Sequence, residues 1–136
     1  MAQVTSGLVL VKCDSPTLPP EHLQQAICLL DQREVTLGPC AVGGYYAIEM
    51  RQPYPDLFRG IAWGTAWVVA QTLTAARDLG LQAAILPIRY DVDTAEDHQR
   101  LVQELAAAPE RAPVTWTFQE RSGVTSALVP PQSDFR

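Results

Sequence analysis

Gly7-Leu8-Val9-Leu10-Val11-Lys12-Cys13-Asp14-Ser15-Pro16-Thr17-Leu18 is the stretch on which the reading of this chain turns. The apolar run up to Val11 is short and continuous, which predicts a strand buried on both faces rather than an alternating surface strand. It stops at Lys12-Cys13-Asp14. Ser15 to Pro20 then forms a turn feeding a helix, since proline is tolerated in the first helical turn, where the N–H groups have no intrahelical partner. That helix covers about residues 20–32, with Leu23, Ala26, Ile27 and Leu30 at core-facing spacing.

Working outward, Val35-Thr36-Leu37 predicts a short strand, Gly38 to Gly44 a glycine-bounded loop, and Tyr45–Met50 a further strand. After an irregular stretch with Pro53 and Pro55, Gly64-Thr65 opens a long helix whose inner face is Val68, Val69, Thr72, Leu73, Ala76 and Leu79, with Gly80 as the stop signal. Leu81–Pro87 is a fourth strand. Thr94 followed three residues later by Asp97 has the form of a helix N-cap, and Leu101, Val102 and Leu105 face inward before an end near Pro109. Val114–Phe118 is a last strand candidate, and Pro130-Pro131 marks a loose end. Strands alternating with helices predict an α/β layered fold, in which loops at the carboxyl ends of strands form the ligand crevice. Asp14 follows the first strand, and Asp91 and Asp93 follow the fourth.

The whole chain is 136 residues with 47% hydrophobic and 18% charged residues, enough apolar side chain for one core. A net charge of −5, with one lysine among ten basic residues, excludes the basic face a nucleic-acid binder needs. Cys13, Cys28 and Cys40 are odd in number and lack CxxC spacing, so they indicate neither a disulfide framework nor a zinc site and read as small core residues. No signal peptide and no run near the roughly 20 apolar residues of a membrane span is present, so a cytoplasmic domain is expected.

Two carboxylates brought to one sheet end from distant loops, Asp14 and Asp93, have the chemistry to hold Mg²⁺ or Mn²⁺, which favour hard oxygen ligands. The same residues are also common as a turn former before Ser-Pro and as an acidic group at the positive end of a helix. Gly43-Gly44 lets backbone approach a sugar or phosphate closely, or makes a tight connection between strands. Trp63 and Trp67 suit either sugar stacking or packing. His22 and His98 lie on helix faces expected to be exposed, without partners at ligand spacing. Glu49, in an otherwise apolar strand, is either edge-exposed or a functional carboxylate.

Taken together, these residues carry a resemblance. Lys12 to Leu18 looks like the Gly-x-Asp-x-Pro-x-Leu turn of a bacterial family of GT-A-type transferases, the radical-SAM/selenodomain-associated type. The match continues in order through Leu37-Gly38-Pro39, Gly43-Gly44-Tyr45-Tyr46, Pro55-Asp56-Leu57-Phe58, Trp63-Gly64-Thr65 and Asp91 to Asp97, covering about residues 7–105. It implies a nucleotide-diphospho-sugar transferase (GT-A-like) α/β/α fold with a mixed sheet, a domain over residues 1–108 and a C-terminal extension over 109–136. By the resemblance, Asp14 and Asp93 are metal ligands for Mg²⁺ or Mn²⁺; Asp91 and Glu49 are possible additional site residues. Gly43, Gly44, Tyr45, Trp63 and Thr65 line the pocket for a nucleotide sugar or nucleoside triphosphate.

The chain departs from the family pattern at Val42, where members carry an aspartate, at Lys12 in place of glycine, and at Ala95 in place of proline. Val42 can neither accept a hydrogen bond from a sugar hydroxyl nor act as a base, so no catalytic residue is assigned. Family members also begin with a strand and glycine/basic loop that would precede Met1, so a truncated domain is expected, from a misplaced start or a split gene. Missing neighbours would leave an unpaired edge, which predicts a homo-oligomer, a partner chain, or a rearrangement in which Val114–Phe118 covers that edge. Two functions follow from the resemblance: a metal-dependent glycosyl or nucleotidyl transferase, incomplete as an isolated chain, and a non-catalytic oligomerising module that keeps the half-fold.

Overall fold

A computed structural model describes residues 7–123. Four strands, β1 (Leu8–Val11), β2 (Val35–Pro39), β3 (Tyr45–Met50) and β4 (Ala83–Ile85), form one mixed sheet in the order β1-β3-β2-β4. β3 runs antiparallel to both β1 and β2, while β4 is parallel to β2. It follows that β1, β2 and β4 all point the same way. The helices are α1 (Pro20–Leu29), α2 (Val68–Asp78), α3 (Ala95–Ala107) and α4 (Pro113–Arg121), with single 3₁₀ turns at Pro55–Phe58 and Pro109–Arg111. The chain divides into two compact units, Met1–Asp91 and Val92–Arg136.

In the first unit, helices cover both sheet faces. Val35, Leu37, Ile48 and Met50 pack with Leu57 and with Ala76 of α2. Ala26 of α1 packs with Cys40, Tyr46, Ala47 and Leu86 on the other face. Full burial of side chains such as Leu37, Ile48 and Leu57 contributes about 1.5–3 kcal/mol each, which makes the two layers the main stabilising element. A register shift at Gly38/Pro39 leaves Tyr46 as an extra residue in β3 between Tyr45, opposite Pro39, and Ala47, opposite Gly38. This bulge turns the Tyr46 ring onto Gly38, where a Cβ would lie 2.3 Å from the ring, and Tyr46 Oη donates to the Pro87 carbonyl at 2.9 Å. Only glycine leaves room for that ring.

The second unit starts with a complete capping box. Thr94 Oγ1 accepts from the Asp97 amide at 3.1 Å, and Asp97 Oδ2 accepts from the Thr94 amide at 3.0 Å. Leu101 and Leu105 of α3 pack with Ala112 and Trp116. The expected strand at Val114–Phe118 is a helix instead. Its β-branched and aromatic residues suggest a strand, but Pro113 sets the first helical turn, and Trp116, whose amide donates to the Ala112 carbonyl, buries against α3.

Other expectations are corrected in the first unit. β1 is not buried on both faces: it is an edge strand with Val9, Leu10 and Val11 between 41% and 46% exposed. Ile27 and Leu79 face solvent rather than the core, and α2 begins at Val68 because Gly64 to Trp67 form a turn. Cys13 and Cys28 are exposed, so of the three cysteines only Cys40 is a core residue. His22 and His98 are half-buried rather than exposed. Pro130-Pro131 lies outside the described residues.

Candidate functional site

Because β1, β2 and β4 are co-directional, the segments that follow them emerge at the same end of the sheet. Lys12 to Ser15 leave β1, Cys40 to Gly44 leave β2, and the chain after β4 runs on beside β2 through a parallel bridge between Cys40 and Arg89. Two backbone hydrogen bonds hold that bridge, Arg89 N to Pro39 O at 3.0 Å and Ala41 N to Arg89 O at 2.9 Å. Arg89 then clamps the first turn, donating to the carbonyl and hydroxyl of Thr17 at 3.0 and 2.9 Å. Together these ties carry Asp91 to the turn that holds Asp14.

Asp91 is the centre of the cluster, with a side chain only 2% exposed. Its Oδ1 accepts from Ser15 Oγ and from the Cys40 thiol, each at 3.0 Å, and its Oδ2 accepts from Lys12 Nζ at 3.0 Å. Burial by itself would push the Asp91 carboxyl up; hydrogen bonds from Cys40, Lys12 and Ser15 and the Lys12 charge outweigh it and hold the group below its usual value. Burial also opposes charge on Lys12, but its bond to Asp91 and the two aspartate charges win and raise its pKa. The Cys40 thiol is pushed up to about 12, first by burial and then by the bond to Asp91, so it stays protonated and donates.

Asp14 is half-buried; its Oδ2 lies 3.4 Å from Lys12 Nζ, and its Oδ1 is buried with no hydrogen-bond partner. Asp93 is exposed and follows Asp91 by two residues, so the chain itself tethers it to the cluster. Within the first unit, one carboxylate oxygen of Asp14 and one of Asp91 lie within 4.8 Å of each other.

The loop after β2 is anchored on Cys40, whose amide donates to the Gly44 carbonyl at 2.7 Å while its own carbonyl accepts from Gly43 at 3.0 Å. Gly43 has φ +95°, its carbonyl accepts from Val69 N at 2.9 Å, and a Cβ there would lie 2.2 Å from the Ala66 carbonyl oxygen. The loop is thus pinned to the start of α2 by close backbone contact. Tyr45 meets Trp63 edge-on, with ring centroids 6.3 Å apart, and Trp63 stacks on Phe58 at 6.5 Å. Burial raises the Tyr45 hydroxyl pKa, and the Lys12 charge acts against it, which puts this phenol within electrostatic reach of the cluster. Trp63 and Trp67 are more than half exposed, neither of them core. Thr65 Oγ1 donates to the Ala62 carbonyl at 2.6 Å and accepts from Trp67 N, so this hydroxyl is engaged in its own turn.

Glu49 stands apart. It is fully buried in β3 and accepts from Thr36 Oγ1 on the neighbouring strand, so it is not edge-exposed, and no contact among the described residues joins it to Asp14 or Asp91. Sequence reasoning missed Ser15 and Cys40 as Asp91 partners and missed the role of Lys12. Only Lys12 carried a signal, as the single lysine lying two residues from an aspartate.

Residues 1–65 match a family model described as an uncharacterized protein conserved in bacteria, DUF2064. No curated protein matches the sequence. Among solved structures, the chain is similar to a proposed nucleotide-diphospho-sugar transferase from Desulfovibrio desulfuricans G20, with 32% identity and a TM-score of 0.78. The match covers 90% of this chain and 54% of the other, so the chain spans about half the length of that protein. The mixed sheet with its flanking helices therefore has the nucleotide-diphospho-sugar transferase type of fold. No helix among the described residues is long and apolar enough to cross a membrane.

Proposed function

We propose that this chain is a nucleotide-diphospho-sugar transferase-type domain that binds a nucleotide sugar or nucleoside triphosphate through a divalent ion at Asp14 and Asp91, with Asp93 as the further ligand that the resemblance implies. The observation that carries this reading is the meeting of two carboxylates, Asp14 and Asp91, at the carboxyl ends of co-directional strands, where α/β sheets of this type bind ligands. The donor set is all hard oxygen, which suits Mg²⁺ or Mn²⁺, and the unpartnered Oδ1 of Asp14 leaves a lone pair for it. When bound, such an ion neutralises diphosphate charge.

The chain's own residues supply the rest of the proposed site. Ser15, Cys40 and Lys12 hold the Asp91 carboxylate ionised and fixed in orientation. The Gly43-Gly44 turn, pinned to Ala66 and Val69, gives a rigid backbone wall, and Tyr45 with Trp63 offers aromatic surface for a sugar or base. Val42, 68% exposed beside this wall, brings no base, and no residue of the site is assigned as catalytic. Thermal unfolding of the purified chain with UDP- or GDP-sugar and Mn²⁺ tests the reading. A rise in Tm that Asp14→Ala abolishes supports it, and no shift with any nucleotide tested discards it.

A second reading, a non-catalytic module that associates through its sheet, is favoured by β1. This edge strand has no second neighbour among the described residues, and three of its four side chains are exposed and apolar. Light scattering that finds a monomer at high concentration counts against it.

A further inference from the structure

The cation already at the cluster is an ammonium. Lys12 Nζ lies 3.0 Å from Oδ2 of Asp91 and 3.4 Å from Oδ2 of Asp14. The other Asp91 oxygen is taken by Ser15 and Cys40, so Oδ2 is the only one it has left to offer, and Lys12 holds it. A divalent ion ligated by Asp14 and Asp91 at metal–oxygen distances of about 2.0–2.2 Å would lie against the ammonium, and two cations in contact repel strongly in a half-desolvated site. The lysine has somewhere to go. Its side chain is 44% exposed, and its stem follows directly from an edge strand.

We propose that Lys12 is a built-in counter-cation that competes with the divalent ion for Asp14 and Asp91, so that ion binding requires the ammonium to swing away. Lys12 thereby sets the affinity and occupancy of the site: its ammonium satisfies the buried Asp91 when no ion is bound, and it weakens ion binding by the cost of its displacement. The inference rests on the divalent-ion reading above and adds to it a residue that opposes the ion.

The test compares Mn²⁺ binding by calorimetry in the wild-type chain, Lys12→Met and Lys12→Arg, with folding of each verified by circular dichroism. Lys12→Met is expected to bind Mn²⁺ at least about tenfold more tightly than wild type, and Lys12→Arg, which keeps the charge, no more tightly than wild type. Equal Mn²⁺ affinity in wild type and Lys12→Met overturns the competition while leaving the ion site standing. No Mn²⁺ binding by any of the three overturns both. A measurement on the unmutated chain covers the case in which Lys12→Met does not fold. Lys12 is the only lysine, so ¹⁵N-lysine labelling gives a single side-chain ammonium signal. Saturating Mg²⁺ must move that signal if the ammonium is displaced, and an unmoved signal with Mg²⁺ shown to be bound overturns the proposal.

Discussion

The Cys40 thiol donates to Oδ1 of Asp91 across 51 residues of sequence, at 3.0 Å and with both groups buried. A thiol held this way has no tendency to ionise, because burial and the neighbouring carboxylate both oppose the thiolate. The contact joins the loop after β2 to the segment after β4 and fixes the orientation of the buried carboxylate at the centre of the cluster.

Thiol reactivity is therefore expected to split two against one. Cys13 and Cys28 are exposed and should react promptly with a chromogenic disulfide at pH 7.5, while Cys40, with its pKa near 12, should react only on unfolding. Three fast thiols in the native protein would show that the Cys40–Asp91 contact does not persist in solution.

Glu49 predicts a pH-dependent stability. Burial raises its pKa from 4.5 to about 7, against the opposing pull of the Thr36 hydrogen bond. Between those values the native state keeps a proton that the unfolded chain releases, so stability falls as pH rises from about 4.5 to about 7 and levels off above. The loss is of order 3 kcal/mol if this group acts alone. Urea unfolding at pH 5 and pH 7.5 should reveal the drop, and Glu49→Gln should flatten it. A Glu49→Gln slope equal to that of wild type would mean the carboxyl is not held neutral.

Gly43→Ala should be costly where Gly44→Ala is mild. Gly43 combines φ +95° with a backbone oxygen 2.2 Å from the added carbon, whereas a Cβ at Gly44 meets nothing within 4 Å. Strain and clash together predict a loss of about 2 kcal/mol or more at Gly43 and less than about 1 kcal/mol at Gly44. Chemical denaturation of the pair decides it: equal effects would mean that the loop is not pinned to Ala66.

Thr94→Ala removes the hydroxyl that caps α3 and should cost about 1 kcal/mol, while Thr94→Ser should be nearly neutral. Hydrogen exchange at the first amides of α3 is the direct readout, faster in the alanine variant and unchanged in the serine one.

Local signals were legible in the sequence and long-range ones were not. Tyr45–Met50 is a strand with the expected bounds, and the Thr94–Asp97 cap is complete, because propensity and capping act within a few residues. The gathering of acids at one sheet end could be foreseen from α/β topology. That Asp91, rather than Asp93, is the buried centre could not, since it depends on Ser15, Cys40 and Lys12 arriving from segments 51 to 79 residues away. The bulge at Tyr46 escaped notice for the same reason: it is explained by the space above Gly38 on another strand. For β1 and α4, apolar and β-branched composition points to burial and extension, whereas sheet position and Pro113 decide otherwise.

The opposite end of the sheet, where β2 begins, carries a set of polar ties: Glu34 accepts from the Gln82 amide, Arg33 donates to the Gln82 side chain, and Arg51 reaches the Leu30 and Asp31 carbonyls. The five residues of β2, about 16 Å of extended chain, separate this rim from Cys40. The molecule thus has a handle as well as a working end. A peptide tag or fluorophore grafted near Gln32 would sit a strand's length from Cys40 and the carboxylate it holds, a convenient place to keep the protein while its ligands are sought.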